Sequence, residues 1–139
     1  MNFGQAIVSG FRNYIGYTGR ACRSEYWYWV LFMFLGNIVA LILDSMLFPS
    51  AAPTPGGAMD PASQLSPISG LFSLLILVPA IMMQIRRLHD INRSGWWWLI
   101  GFVPIIGTII LIVWAIQRGT AGDNRFGPDP LAGAAAQPI

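Results

Sequence analysis

Long apolar runs separated by short polar stretches dominate the pattern of this chain, and three of them stand out: residues 26–48, 68–85 and 96–116. At 1.5 Å per residue, the first run extends about 34 Å, which is enough to cross a hydrocarbon core of about 30 Å. The second run is at the short end for a span and contains Pro79, which membrane helices tolerate when neighbours satisfy the freed carbonyl. The pattern therefore predicts an all-α helical membrane protein in which residues 1–139 form a single membrane domain.

Two interpretations of the third run, residues 96–116, are open. Its length matches about one bilayer thickness, which favours a single kinked span as the simpler prediction. Pro104 and Gly107 lie in its middle. A re-entrant hairpin turning there is the alternative, because neither half alone is long enough to cross a bilayer. Such a hairpin needs its turn buried in protein or facing a water-filled cavity.

The segments outside these runs have other patterns. Apolar positions in residues 2–15 recur on one face of a helix, at Phe3, Ala6, Ile7, Gly10, Phe11 and Tyr14. This spacing predicts an amphipathic interfacial helix, lying on the membrane surface, packed on the rest of the protein, or both. Residues 49–67 contain five prolines, which predicts a flexible loop. Asp44, the one charge of the first run, is expected near the membrane interface.

Composition narrows the classes of function. Hydrophobic residues make up 55% of the chain and charged residues 10%, whereas a soluble domain is roughly 25% charged. The net charge of +2 and the absence of a basic run with interleaved aromatics argue against nucleic acid as a partner. One cysteine, Cys22, excludes an internal disulfide, and a single histidine is a weak metal signal. Neither a cofactor nor a cleavable signal peptide is expected.

Arginine placement predicts the orientation in the membrane. Every basic residue is an arginine, and six of the eight lie in residues 1–25 and in the loop 86–95. The proline-rich loop 49–67 has none. Because basic residues concentrate on the cytoplasmic side, the N-terminus and the loop 86–95 are expected to face the cytoplasm and the proline-rich loop the outside. The side of the tail 117–139 stays open, since a third span places it outside and a hairpin places it inside.

The loop 86–95 is the most unusual polar stretch, lying between two apolar runs. It places two guanidinium groups, an imidazole and a carboxylate within five residues: Arg86, Arg87, His89 and Asp90. The simplest interpretation is a juxtamembrane anchor in which arginines reach lipid phosphates and Trp96–Trp98 lie at the interface. The functional alternative is an anion site for a lipid headgroup or a phosphorylated solute. A catalytic or metal-binding role for His89 with Asp90 is the weakest of the three.

The tail contains a second polar stretch, residues 122–130, whose glycines, prolines and aspartates predict a fixed irregular loop. If the tail lies on the same side as the loop 86–95, Arg125 could pair with Asp90. Asp123 could then pair with Arg86 or Arg87.

Three motifs in this order resemble a known family. They are Gly19-Arg20-Ala-x-Arg23-x-Glu25-Tyr26-Trp27; Arg86-Arg87-Leu88-His89-Asp90 with Arg93-Ser94 and tryptophans; and Gly122-x-Asn124-Arg125-Phe126-Gly127-Pro128. The chain resembles the YhaH-like family of small bacterial inner-membrane proteins, a domain of unknown function. The resemblance implies an inner-membrane location and a helical fold, and it carries no activity or functional residues. The motifs supply the candidate anion, lipid or structural cluster: Arg20, Arg23, Glu25, Arg86, Arg87, His89, Asp90, Arg93, Asn124 and Arg125.

The expected function is therefore that of a multi-pass, non-enzymatic binding or scaffold protein with a cytoplasmic arginine-rich face. Its expected partner is the lipid bilayer, including anionic phospholipid, and a homo-oligomer or a contact with another membrane protein is also open. A small oligomeric transporter or channel subunit is the alternative, with the prolines of the apolar runs near its substrate.

Overall fold

The computed structural model describes residues 1–49 and 66–132. These residues form α1 (Phe3–Arg12), α2 (Arg23–Leu47), α3 (Pro67–Asp90), a 3-10 helix (Gly95–Phe102) and α4 (Ile106–Ile116). The described residues contain no β-strand, and only an isolated β-bridge joins Asn124 to Gly127. The all-α prediction is therefore confirmed. Residues 50–65 of the predicted proline-rich loop and residues 133–139 of the tail lie outside the described residues.

The two longest helices have the length and surface of membrane helices. α2 has 25 residues and α3 has 24, which correspond to about 37 and 36 Å of helix. In the most apolar stretch of each helix, only 11% and 22% of the residues are buried. A core helix of a soluble protein would hide these side chains, whereas a helix that is apolar all round and exposed suits a lipid environment. Both helices are thus able to cross a membrane by length and composition.

The chain divides into two compact units, residues 31–77 and residues 1–30 with 78–139. Within the first of these units, α2 and α3 run antiparallel. The Ser73 hydroxyl donates to the Asn37 side chain at 3.5 Å, and Asp44 farther along α2 contacts Ser69 nearer the start of α3.

Asp44 is buried within the protein, and its expected place near the membrane interface stays a prediction. Its carboxylate accepts the backbone N–H groups of Ile68 and Ser69, each at 2.8 Å, and the Ser69 hydroxyl at 2.7 Å. The first N–H groups of a helix have no partner within the helix. Asp44 therefore caps α3 from the neighbouring helix, because its negative charge and lone pairs suit those free donors.

In the larger unit, α1 packs against the first turns of α2. The Phe11 and Trp29 rings meet edge to face at 5.4 Å, and the Ser9 hydroxyl donates to the Glu25 carboxylate at 2.6 Å. Asn2 begins α1 with a capping box, in which its side chain and that of Gln5 accept each other's backbone N–H. The predicted N-terminal helix is confirmed, and it packs on the protein; its position at the membrane surface stays a prediction.

The structure divides residues 96–116 into two short helices that form a hairpin. The 3-10 helix and α4 pack against each other, with the Trp97 and Trp114 rings edge to face at 5.7 Å. The turn lies at Pro104 and Ile105. The φ of Ile105 is 64°, which is unusual for a β-branched residue. Whether this hairpin re-enters the membrane or residues 96–116 span it as one kinked segment stays a prediction. Composition does not separate the two, because two short packed apolar pieces have the same composition as one long helix.

Candidate functional site

The three sequence motifs converge in the larger unit, where backbone hydrogen bonds tie them together. The Ala21 N–H donates to the Arg86 carbonyl at 3.0 Å, which joins the first motif to the end of α3. The Thr120 N–H donates to the Asp90 carbonyl at 2.8 Å, which joins the tail to the same place. The segments that follow α1 and α4 thus both dock onto the last turn of α3.

Asp90 lies at the centre of this site, between two arginines. Its Oδ1 accepts the Arg20 Nε at 3.0 Å, and its Oδ2 accepts a guanidinium N–H of Arg87. The side chains of Arg20 and Arg87 are both 1% exposed and that of Asp90 is 4% exposed. A carboxylate buried this deeply is stable only when paired and hydrogen-bonded, and two guanidinium groups meet that need.

The remaining guanidinium N–H groups donate to backbone carbonyls. Arg20 donates to Gly122 at 2.6 Å and to Thr120, both in the tail. Arg87 donates to Ala115 at 3.2 Å and to Gln117, where α4 ends. The last carbonyls of a helix are unpaired and carry partial negative charge, so a cation there satisfies them. Arg87 therefore holds the end of the hairpin against α3.

Arg86 points to a different partner from its neighbour Arg87. It forms an ion pair with Glu25 at 3.0 Å and donates to the Arg20 carbonyl at 3.2 Å. Its buried Nε has no hydrogen-bond partner among the described residues. Since Ser9 also donates to Glu25, this pair connects α3 through α2 to α1.

His89 faces the tail. Its Nδ1 contacts the Gly19 carbonyl at 3.1 Å, and its ring stacks on Phe126 with 4.0 Å between centroids and 3° between planes. Asn124 of the tail donates to the His89 carbonyl at 2.9 Å. Because a carbonyl can only accept, Nδ1 carries the hydrogen and Nε2 of the neutral ring carries a lone pair. The histidine is thus oriented by both ends of the site.

The tail lies beside the loop after α3, as the pairing hypothesis required, but the two predicted ion pairs are wrong. Arg125 donates to the Asn92 carbonyl at 3.2 Å and lies over the Phe126 ring, while Asp90 is taken by Arg20 and Arg87. Asp123 accepts the Asp129 N–H at 3.1 Å rather than meeting Arg86 or Arg87. The sequence could not identify the correct partner of each aspartate, since every candidate arginine carries the same positive charge.

The irregular loop predicted at 122–130 is held by its own aspartates. The Asp129 carboxylate accepts the Leu131 N–H and the Gly122 N–H, each at 2.9 Å. These bonds stabilise the charged form and lower the pKa of Asp129 below its ordinary value. The loop is therefore a fixed structure that presents Asn124 and Phe126 to His89.

The other predicted site residues lie at the edge of this cluster. Arg23 is exposed at the start of α2. Arg93 is half-buried, and its guanidinium lies 4.2 Å from the centroid of the Trp114 ring, a cation–π contact. Among the residues with described coordinates, no group of three His, Cys, Asp or Glu side chains could hold a metal ion.

A cavity of about 580 Å³ opens beside His89. The lining comes from the turn before Arg20, the end of α3, the 3-10 helix and the tail: Tyr17, Thr18, Gly19, Met82, Ile85, His89, Ser94, Gly95, Trp96, Trp98, Arg125 and Phe126. Most of the lining side chains are aromatic or aliphatic, and Thr18, His89, Ser94 and Arg125 are its polar groups. Sequence patterns did not indicate this cavity, because its walls come from four separate segments.

Residues 14–128 match the family described as "Protein of unknown function (DUF805)". The chain belongs to the DUF805 family. The matched range begins just after α1 and contains all three motifs, so the resemblance inferred from them is confirmed.

Named relatives of this DUF805 protein come from Escherichia coli strain K12. The chain is 41% identical to inner membrane protein YhaH over 119 residues, which cover 86% of this chain and 90% of YhaH. It is 37% identical to inner membrane protein YhaI over 130 residues, covering 94% and 98% of the two chains. The uncharacterised protein YiiR is 28% identical over 142 residues, covering 81% of this chain and 84% of YiiR. No solved structure matches the chain.

These relatives and the two long apolar helices together support an inner-membrane location for this DUF805 protein. The buried cluster holds four segments of the chain in one arrangement, and its arginines bind Asp90, Glu25 and backbone carbonyl oxygens. The sequence analysis did not identify the backbone carbonyls of the tail and of α4 that accept from these arginines. Gly119 is the one residue there whose type reflects the contact: a Cβ at this position would overlap the Asp90 carboxylate, so only glycine allows the tail to approach Asp90 this closely.

Proposed function

We propose that this protein is a non-enzymatic inner-membrane binding or scaffold protein whose cytoplasmic face binds anionic phospholipid headgroups through exposed arginines. The observation that carries the proposal is an imbalance of exposed charge in the larger unit. Arg12, Arg23 and Arg118 are exposed there, each at or next to the end of a helix.

The acidic residues of that unit offset these arginines only in part, because Asp123 alone among them is exposed. Glu25 and Asp90 are buried in ion pairs. Asp123 and Asp129 accept backbone N–H groups of their own loop. The exposed guanidinium groups are therefore the ones available to phosphate, whereas Arg20, Arg86 and Arg87 serve to hold the fold. An arginine near an anionic membrane surface contributes about 1 kcal/mol to the attraction.

The placement of the basic face also supports the proposal. Arg20 and Asp90, at the polar ends of α2 and α3, are in direct contact. Two spans leaving from this site would place the exposed arginines together at one headgroup layer. Basic residues near spans mark the cytoplasmic side, where the anionic surface of the inner leaflet lies.

The test uses the full-length protein reconstituted into phosphatidylcholine bilayers. It compares the contact of the protein with two spin-labelled probes, phosphatidylglycerol and phosphatidylcholine. Electron paramagnetic resonance measures the fraction of each labelled lipid that is immobilised by the protein. We expect a preference for phosphatidylglycerol that falls several-fold in Arg23→Gln/Arg118→Gln and weakens at high salt, because both changes reduce the same electrostatic attraction.

The matched control is Asp123→Asn, which removes an exposed charge of the opposite sign. It should retain or increase the preference for phosphatidylglycerol. An unchanged preference in the double arginine variant, or no preference in the wild-type protein, would contradict the proposal.

The second candidate function is a small oligomeric transporter or channel subunit, and the hairpin is the observation that favours it. Non-helical backbone at membrane depth occurs where it is buried in protein or lines a water-filled cavity. On this hypothesis the Pro104–Ile105 turn lies near a solute path. Solute flux in reconstituted vesicles that is lost when the turn is altered would favour this function over lipid binding.

A further inference from the structure

We propose that the cavity beside His89 binds one molecule of an anionic phospholipid whose headgroup carries free hydroxyl groups. This inference deepens the proposed function and rests on it for the membrane location and the preference for anions. It adds a specific site, where the exposed arginines provide only a general attraction. Three features of the cavity carry it: its apolar wall, its cation and its two hydroxyl-binding groups.

The apolar wall suits an acyl chain. Met82 and Ile85 contribute from α3, and Trp96 and Trp98 contribute from the 3-10 helix. Trp96 is 77% exposed, so part of this wall faces the surroundings rather than packing within the protein. The volume of about 580 Å³ is within the range of small-molecule sites, roughly 300–1,000 Å³. Met82 and Ile85 belong to α3, which can cross a membrane by length and composition, so we expect the acyl chain of a bilayer lipid to reach this wall.

The cation of the cavity is Arg125. Its guanidinium uses one N–H for the Asn92 carbonyl and lies 4.6 Å from the centroid of the Phe126 ring. A guanidinium group has five N–H donors in a planar fork, which leaves donors to bind a phosphate. The stacking on Phe126 restricts its orientation at the edge of the cavity. Asp123 and Asp129, the nearest acids in sequence, are engaged with backbone N–H groups of the tail.

His89 and Ser94 supply groups for headgroup hydroxyls. With Nδ1 donating to Gly19, the His89 Nε2 of the neutral ring is an acceptor, and a Cβ built on Gly95 would be 3.4 Å from it. His89 and Gly95 both line the cavity. Ser94 precedes the 3-10 helix but makes no side-chain capping hydrogen bond. The Arg125 guanidinium would bind the phosphate of a lipid headgroup, and the His89 Nε2 and the Ser94 hydroxyl would bind hydroxyl groups attached to that phosphate.

The experiment uses native mass spectrometry of the full-length protein in detergent. Phosphatidylglycerol is compared with phosphatidylmethanol, which has the same charge and no headgroup hydroxyl, and with phosphatidylcholine and oleate. We expect one bound phosphatidylglycerol per chain, with weaker binding of the other three. Arg125→Gln should weaken phosphatidylglycerol about tenfold, because a charge-assisted hydrogen bond is lost.

Ser94→Ala tests the hydroxyl contact and changes almost no volume. It should weaken phosphatidylglycerol binding about threefold and leave phosphatidylmethanol binding unchanged, since one neutral hydrogen bond is lost. Met82→Trp places a larger side chain at the apolar wall of the cavity and should reduce the binding of both phosphatidylglycerol and phosphatidylmethanol. Arg118→Gln is the control, because it changes the exposed arginine face and does not line the cavity.

Failure of the site and failure of the proposed function give different results. Several phosphatidylglycerol molecules per chain, all sensitive to Arg118→Gln and none to Arg125→Gln, would overturn the cavity site and leave the headgroup face intact. Oleate binding as tightly as phosphatidylglycerol would show that the cavity takes free fatty acids, which also overturns the proposal. One phosphatidylglycerol that resists Arg118→Gln and is lost in Arg125→Gln supports the site even if the general lipid preference is absent.

Discussion

The Asp90 carboxylate and carbonyl contact three segments of the larger unit. Asp90 joins Arg20 from the N-terminal motif, Arg87 from its own helix and, through its carbonyl, Thr120 from the tail. A buried ion pair contributes little net stability compared with apolar packing, but removing one partner is costly because the other charge stays buried. The value of Asp90 therefore lies in selecting one arrangement of these segments.

We expect Asp90→Asn to lower the free energy of unfolding by about 3–5 kcal/mol, since it leaves two buried guanidinium groups without a carboxylate. Unfolding in mixed detergent micelles, followed by tryptophan fluorescence, measures this change. Asp123→Asn removes an exposed carboxylate and should stay within about 0.5 kcal/mol of the wild-type protein. Equal effects of the two substitutions would show that the Asp90 ion pairs do not hold the segments together.

At the scale of elements, the hairpin formed by the 3-10 helix and α4 depends on close approach of two backbones. A Cβ on Gly107, in the first turn of α4, would overlap the Ile100 carbonyl oxygen. Backbone cannot move aside as a side chain can, so this position accepts only glycine without separation of the two pieces. Arg87 then fixes the far end of α4 by donating to its last carbonyls.

Gly107→Ala is accordingly expected to destabilise the protein by about 1–3 kcal/mol through overpacking. Gly101→Ala is a matched substitution in the same hairpin. Its Cβ would meet only the Leu111 Cδ1 at 3.1 Å, a flexible side-chain end that can shift. The same micelle unfolding assay compares the two variants. If Gly107→Ala were as stable as Gly101→Ala, the close contact between the 3-10 helix and α4 would not exist in the membrane.

At the scale of the whole molecule, the site brings the tail and the N-terminal motif together. The Arg20 guanidinium donates to carbonyls of Thr120 and Gly122, so the tail lies where the N-terminal motif lies. If α2 and α3 are spans and the hairpin returns to its own side, we expect all eight arginines on one membrane face. This arrangement agrees with the tendency of basic residues to stay in the cytoplasm.

We predict that reporters fused to the N-terminus and to the C-terminus are both accessible from the cytoplasm, and that one inserted near residue 58 is accessible only from outside. Green fluorescent protein and alkaline phosphatase, which are active on opposite sides of the inner membrane, measure the location. Alkaline phosphatase activity at the C-terminus together with cytoplasmic fluorescence at the N-terminus would restore the three-span topology and contradict the hairpin in the bilayer.

The sequence by itself determined the helical class, the two long apolar helices and the family. Their signals are local: an apolar run of span length and ordered motifs such as Arg86-Arg87-Leu88-His89-Asp90 are complete within one stretch of chain. Burial of Asp44 was not visible, since the N–H groups it caps belong to another helix.

Only the tertiary structure decided the hairpin, the partners of each arginine and the cavity. One long span and two short packed helices have the same composition, so the composition of residues 96–116 could not show which of the two forms. Charge alone allows Asp90 to pair with Arg125 as well as with Arg20, and only the three-dimensional path of the tail selects between them. The cavity depends on the same path, because its lining residues are adjacent in space and distant in sequence.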